Sequence, residues 1–142
     1  MQKPPRPPIG LLLANTAKVL NRAFDATLAT AGGSVPVWLI LITLKSRPEA
    51  SQREIAAAVG IQGATLTHHL NAMESDGLIT RTRDPQNRRV HQVRLTGAGE
   101  ALFHRLAGAA RAHDQRLRDG LSDDDVETLE KLLTRMRANV TD

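Results

Sequence analysis

The sequence of 142 residues contains no cysteine, which excludes disulfide bonds, thiolate metal sites and thiol-based redox sensing. Aromatic residues are nearly as scarce, since Phe24, Trp38 and Phe103 are the three in the chain. A core of Leu, Ile, Val and Ala favours helices, because sheets draw heavily on aromatic side chains. We therefore predict a mainly helical protein of one domain, or of lobes intertwined into one compact unit.

Long hydrophobic runs are also lacking, so the sequence predicts no membrane span. Residues 9–14 are apolar enough to resemble the core of a signal peptide, but Asn15, Lys18 and Arg22 follow without a convincing cleavage site. Residues 1–8 contain four prolines, which prevent a helix and predict a flexible basic arm. We expect a cytoplasmic protein.

Signatures of catalysis and of metal binding are missing as well. No nucleophile elbow or phosphate loop occurs, and "GAGE" at residues 97–100 is a helix start that lacks the full dinucleotide-binding fingerprint. His91, His104 and His113 form no recognisable metal-ligand set. We predict a protein that is not an enzyme and needs no cofactor or metal. A small helical enzyme that uses these histidines is a rival hypothesis.

What the sequence does contain is a series of helical patterns separated by capping residues and glycines. Residues 9–28 carry apolar side chains at helical spacing, and "AGGS" at residues 31–34 ends this segment. Ser34 can cap the next helix, "VPVWLILITLKS", which is apolar on nearly every side and is therefore expected to be buried. "SQRE" at residues 51–54 is a capping box, and the short helix that it begins ends at Gly60.

The following segment, "GATLTHHLNAMESDG", predicts a second short helix after a tight turn. Leu66, Leu70 and Met73 fall on one face of it, while His68 and Asn71 fall on the opposite face. Two short helices joined in this way, the second with small and hydrogen-bonding outward residues, are typical of a helix-turn-helix.

Two alternating segments, "LITRTR" and "VHQVRL", flank a Pro-Gln-Asn turn and predict a β-hairpin directly after that helix. Residues 81–94 contain five arginines and one aspartate, so this hairpin carries a charge of +4, equal to that of the whole chain. Arg88 and Arg89 lie at its tip, whereas Arg81 and Arg83 can either support the hairpin or only solubilise it. A cationic hairpin after a helix-turn-helix indicates a winged helix that binds DNA. Thr96 and Ser122 are expected to cap two further helices.

The helix-turn-helix and the hairpin resemble the corresponding segments of the MarR family of bacterial regulators. The resemblance rests on "LTHHL", "MESDGLITR", "DPQNRR" and "VRLT", and it covers nearly all of residues 9–140. It implies a winged helix-turn-helix with an interlocked helical dimerisation lobe, and thus a homodimer. It further implies a sequence-specific transcriptional regulator of pseudo-palindromic double-stranded DNA, most simply a repressor that a small-molecule effector releases.

The resemblance assigns DNA contacts to Thr65, Thr67, His68, Arg88 and Arg89. Two further candidates come from the residue pattern, and these are Arg53 and Asn71. The family usually has Asp where this chain has Asn87, so the orientation of Arg89 is open. Residues 34–101 would form the DNA-binding lobe, with the recognition helix at about 62–75 and the wing at about 78–95, and residues 9–33 and 102–142 would form the dimerisation lobe.

The resemblance also implies an effector pocket between the two lobes, with Phe24, Trp38 and His113 as candidate lining residues. Plain core packing explains Phe24 and Trp38 at least as well, and the alternative for His113 is a core or dimer-contact histidine. One alternative to the whole interpretation is a winged helix that binds another protein and no DNA, in which case replacing Arg88 and Arg89 would leave no DNA affinity to lose.

Overall fold

A computed structural model describes residues 2, 5–83, 85–86 and 91–142, with the backbone alone for His91. Six helices and one two-stranded sheet follow one another in these residues: α1 (Ile9–Thr30), α2 (Val35–Ser46), α3 (Gln52–Val59), α4 (Gly63–Ser75), β1 (Ile79–Arg83), β2 (His91–Leu95), α5 (Gly97–Arg118) and α6 (Asp123–Val140). The predicted order and the mainly helical class are confirmed. The chain divides within α5 into two compact units, residues 1–110 and 111–142.

The helix boundaries lie where the capping residues predict them. The Ser34 hydroxyl accepts a hydrogen bond from the amide of Val37, and Ser51 and Ser122 each form a complete capping box. Gly60 ends α3 with a φ of 79°, a left-handed conformation that L side chains adopt at a cost. Local sequence therefore determines where these helices begin and end.

The hydrophobic core of residues 1–110 is centred on α2, α3, α4 and the sheet. α2 buries Ile40, Leu41 and Leu44, as its nearly uniform apolar character predicts. α4 buries the predicted face of Leu66, Leu70 and Met73. The remaining buried apolar residues come from the neighbouring elements: Leu28, Ala50, Ile55, Ile79, Val93, Leu102 and Leu106. The helix-turn-helix and the hairpin thus share one core, which fixes the hairpin beside α4.

The two strands are antiparallel, and Ile79 pairs with Leu95 while Arg83 pairs with His91. Ile79 and Val93 are buried, so one face of the sheet packs on the core. An isolated antiparallel bridge also joins Ser51 to Gln92. This bridge, which attaches the start of α3 to β2, is a feature that the sequence patterns did not predict, because a single pair leaves no periodic signal.

α1 exposes large apolar side chains along its first half, from Ile9 to Leu20. α6 belongs to the second unit and exposes Leu129, Leu132 and Val140, with no residue fully buried. Among the described helices, none alone is both long and apolar enough to cross a membrane, and α1 and α2 pass that test only as a pair bent by 74°.

Candidate nucleic-acid interface

The outward face of α4 carries small and polar side chains on a rigid helix. Thr65, Thr67, His68 and Asn71 are all exposed. His68 and Asn71 lie opposite the buried Leu66–Leu70–Met73 stripe, and Thr65 and Thr67 lie on the two flanks. His69 lies at the edge of the core and is half-buried, with its ring 5.8 Å from that of His68 in an edge-on arrangement. A helix with such a face can approach the base edges of a major groove closely.

The Thr67 hydroxyl donates a hydrogen bond of 2.9 Å to the carbonyl oxygen of Gly63, one turn earlier. This bond leaves the hydroxyl oxygen free to accept from an outside donor. Arg53 is also exposed, in the first turn of α3. These placements are compatible with the predicted contacts, which stay predictions.

Arg81 joins the hairpin to α4 through a compact polar network. Its Nη2 atom lies 2.5 Å from Oδ1 of Asn71 and 3.1 Å from Oε1 of Glu74. Its Nε and backbone N–H donate to Oε2 of Glu74 at 3.4 and 3.2 Å. The side chain of Arg81 is only 17% exposed. The sequence left two roles open for Arg81, which were support of the hairpin and solubility alone. These contacts give Arg81 the role of supporting the hairpin.

Arg83 is placed differently from Arg81 although both point to the same side of β1. It is exposed at the end of the strand, opposite His91 in the register. Its cationic group thus faces solvent beside the turn. The signal that separates the two arginines is position: Arg81 follows the buried Ile79 by two residues and reaches α4, whereas Arg83 lies one step further out.

The turn itself carries the strongest sequence-based candidates. Arg88 and Arg89, together with Asn87, lie outside the described residues. Pro85 and Gln86 are exposed. The register of the two strands makes residues 84–90 the connection between them, directly beyond Arg83.

The candidate effector residues are distributed over the two compact units, with Phe24 and Trp38 in the first and His113 in the second. In residues 1–110, Trp38 stacks on Phe103 at a centroid distance of 5.5 Å, and Phe24 is half-buried against the core. His113, in residues 111–142, is buried with 8% of its surface exposed. Trp38 and Phe24 pack as core residues do, so a role in a pocket stays a prediction.

A cavity that the sequence did not predict lies between the end of α2, the loop after it, β2 and the start of α5. Its volume is about 280 Å³, and its walls include Leu44, Pro48 and Leu95. Two ion pairs border it: Lys45 Nζ lies 3.0 Å from Glu100 Oε2, and Arg94 Nη2 lies 3.3 Å from Glu49 Oε1. Lys45 also lies 5.3 Å above the ring of Phe103. The partners are far apart in sequence, which is why no local pattern indicated this site.

Within the part of the chain that the structure describes, no three His, Asp or Glu residues are grouped as metal ligands would be. The "GAGE" segment has a structural explanation. Gly99 donates its N–H to the Thr96 hydroxyl at 3.1 Å, and a Cβ at Gly99 would overlap the carbonyl oxygen of Leu78. Gly99 therefore permits the close packing of α5 on the turn before β1.

Comparison with known proteins gives consistent matches. Residues 34–91 match the model of the MarR family. The transcriptional repressor CouR bound to a 23-mer DNA duplex is 29% identical, with 92% of each chain covered and a TM-score of 0.82. A MarR-family transcriptional regulator from Rhodococcus sp. RHA1 is 26% identical over 90% of this chain and 91% of that chain, with a TM-score of 0.76. The PcaV regulator of Streptomyces coelicolor, solved with its natural ligand, shares the fold at 22% identity, over 96% of this chain and 99% of that one, with a TM-score of 0.78.

Proposed function

We propose, from the match of residues 34–91 to the model of the MarR family, that the chain is a MarR-type, sequence-specific DNA-binding repressor. The observation that carries this proposal is the exposed polar face of α4 beside an arginine-rich hairpin. The repressor CouR, a relative of the same fold, is known bound to a DNA duplex. Binding, and not catalysis, is the activity that this surface supports, and a regulator that binds DNA in this way would act in the cytoplasm.

The functional unit in this proposal is a homodimer. Exposed apolar residues on α1 and α6 support it, because stripes of this length normally mark an interface and two copies can cover each other's stripe. Two α4 helices would enter successive major grooves of a pseudo-palindromic operator, about one helical turn apart. The wings, with Arg88 and Arg89, would hold the flanking backbone and minor groove.

A small-molecule effector would release the DNA by favouring dimers whose recognition helices are wrongly spaced. Support for this part comes from PcaV, a protein of the same fold that has a natural ligand. Phe24, Trp38 and His113 remain our candidates for the residues that line the effector site.

A salt titration of DNA binding tests the proposal directly. The probe is the DNA fragment next to the protein's own gene, and the measurement is the dissociation constant at several salt concentrations. A DNA reader should lose affinity with a log–log slope of about 0.9 for each phosphate contacted. Replacing Arg88 and Arg89 together with alanine should lower this slope by about one for each arginine that contacts phosphate.

A matched control removes the same charge elsewhere, with Arg105→Ala and Arg116→Ala on the exposed side of α5. This control should leave the slope unchanged. Lack of binding to this fragment and to random duplex DNA at low salt, or binding without salt dependence, would contradict the proposal. The alternative of a winged helix that binds only proteins would then be favoured.

A further inference from the structure

We propose that Arg81 fixes the orientation of Asn71, so that α4 offers DNA an amide N–H donor at this position and selects a base with an acceptor there. In the major groove guanine offers the acceptors O6 and N7, thymine offers O4, and adenine offers N7 with its N6 amino donor beside it, so the bases expected here are guanine and thymine. This inference rests on the proposed function, because it names how one residue of that surface reads sequence. Arg81 is a positioning residue in this scheme, and Asn71 is the residue that touches the base.

The geometry of the network carries the first step. Arg81 directs three N–H groups, two from the side chain and one from the backbone, at the carboxylate of Glu74, and its Nη2 also reaches Asn71. Asn71 and Glu74 are three residues apart on α4, so they are neighbours on one helix face. Glu74 holds the guanidinium in place, and the guanidinium then holds the amide. Charge-assisted bonds of this kind are shorter and stronger than neutral ones.

The chemistry of the guanidinium carries the second step. Arginine has N–H donors and no acceptor, so the atom of Asn71 that faces it must be the amide oxygen. The NH₂ group of the same planar amide consequently points away from Arg81. Asn71 is exposed, and within the described residues no hydrogen bond involves its Nδ2 atom. Both of its N–H groups are therefore available to a ligand of α4.

The consequence for base recognition follows from the groove edges. Asparagine commonly reads adenine by accepting from N6 and donating to N7 at the same time. Here the amide oxygen already accepts from a cation, and an adenine amino group would have to approach next to that cation. Donation to O6 or N7 of guanine, or to O4 of thymine, meets no such competition. Asparagine usually both accepts from and donates to adenine. In this network Asn71 acts towards DNA as a donor alone.

Arg83, the neighbouring arginine on β1, does not position Asn71. It lies two residues from Arg81 but is exposed. Replacing Arg83 removes one cation near the DNA without touching the network, so Arg83→Met is a matched control for Arg81→Met.

The experiment is a selection from a randomised duplex DNA library, with sequencing of the bound pool, on the full chain. For the wild type we expect guanine or thymine at one position of each half-site. Asn71→Asp keeps a partner for Arg81 but replaces the outward donor with an acceptor. It should shift that position towards cytosine, whose N4 amino group donates, by about five- to tenfold, while overall affinity also falls.

Arg81→Met releases the amide and should admit adenine at that position, with the other positions of the site unchanged. Arg83→Met should weaken binding to all sequences alike. A merely structural role for Arg81 would lower stability and affinity without changing one base preference, so the base profile separates the two roles.

The outcomes that overturn the inference are distinct from failure of the proposed function. A wild-type chain that selects no sequence overturns both. If the wild type selects a site but Asn71→Asp weakens every sequence equally, Asn71 contacts phosphate and the inference is wrong. A base profile of Arg81→Met identical to that of the wild type overturns the positioning role of Arg81.

Discussion

α4 and α6 are both amphipathic helices, but the apolar stripe of α4 is buried whereas that of α6 is largely exposed. In α4, Leu66 and Leu70 are fully buried, whereas in α6 Leu129 and Leu132 are 48% and 57% exposed. The stripe of α4 is covered by helices and strands that lie close in sequence, since α2, α3 and β1 all contact it. The winged helix therefore completes its own core, while α6 carries a stripe that suits a partner surface.

The largest effect that separates the two helices should come from truncating one leucine in each. Leu66→Ala removes a fully buried side chain from α4 and should lower the free energy of unfolding by about 2–5 kcal/mol, because a cavity remains. Leu129→Ala removes a half-exposed side chain from α6. At a protein concentration that keeps the chain monomeric, we expect a loss below about 0.5 kcal/mol.

Urea denaturation followed by circular dichroism measures both values. The comparison between the helices fails if the two variants lose similar stability in the monomer. It is sharpened if the cost of Leu129→Ala grows with protein concentration, since a side chain buried between two copies contributes only when they associate.

The second prediction concerns the joint between the hairpin and α5, inside the self-contained region. Gly99→Ala would force a methyl group against the backbone carbonyl of Leu78, which also accepts the N–H of Thr96. We expect a loss of about 1–3 kcal/mol, as for other overpacked sites. Gly97→Ala is the matched control, because a Cβ there meets no atom within 4 Å. Thermal unfolding of both variants provides the measurement, and equal midpoints would refute the close packing.

Sequence patterns predicted the helices and the hairpin because each leaves a local and periodic signal. The caps at Ser34, Ser51 and Ser122 and the buried face of α4 were all readable from neighbouring residues. Features that depend on contacts between residues distant in sequence could not be predicted. The Ser51–Gln92 bridge links positions 41 residues apart, and the cavity beside Lys45 and Glu100 depends on a pair 55 residues apart.

The candidate DNA surface shows the same division. The exposure of His68 and Asn71 follows from helix periodicity, so it could be predicted. The network of Arg81 could not be, since charge alone does not distinguish an arginine held by Asn71 and Glu74 from one in solvent. Position within β1 was the usable signal: alternation places Arg81 on the side of the buried Ile79.

The third prediction places a charge on the exposed stripe of α6. Leu132→Asp should raise the dissociation constant of the proposed dimer at least tenfold, or about 1.4 kcal/mol, because the carboxylate would be desolvated at an apolar interface. Lys131→Gln, on a neighbouring exposed position, should leave association unchanged. Sedimentation velocity over a range of concentrations distinguishes the two. A Leu132→Asp protein that dimerises like the wild type would remove α6 from the interface.

The smallest effect should come from the two capping boxes, which use the same bonds in the two regions. The Ser51 hydroxyl accepts from the amide of Glu54 at 3.2 Å, and the Ser122 hydroxyl accepts from the amide of Asp125 at 3.1 Å. Each Ser→Ala change should cost about 1 kcal/mol. The costs should appear in different places, because α3 shares the cooperative core of the winged helix whereas α6 buries no residue fully.

Native-state hydrogen exchange reports this difference. Ser122→Ala should speed exchange in the first turn of α6 by about fivefold while the amides of α4 keep their rates, since α6 can open locally. Ser51→Ala should speed exchange across α3, α4 and the sheet together, because these elements share one buried cluster. If Ser122→Ala accelerated the core amides of α4 as much as those of α6, the two regions would unfold as one, and the contrast between the self-contained core and the exposed stripe of α6 would be lost.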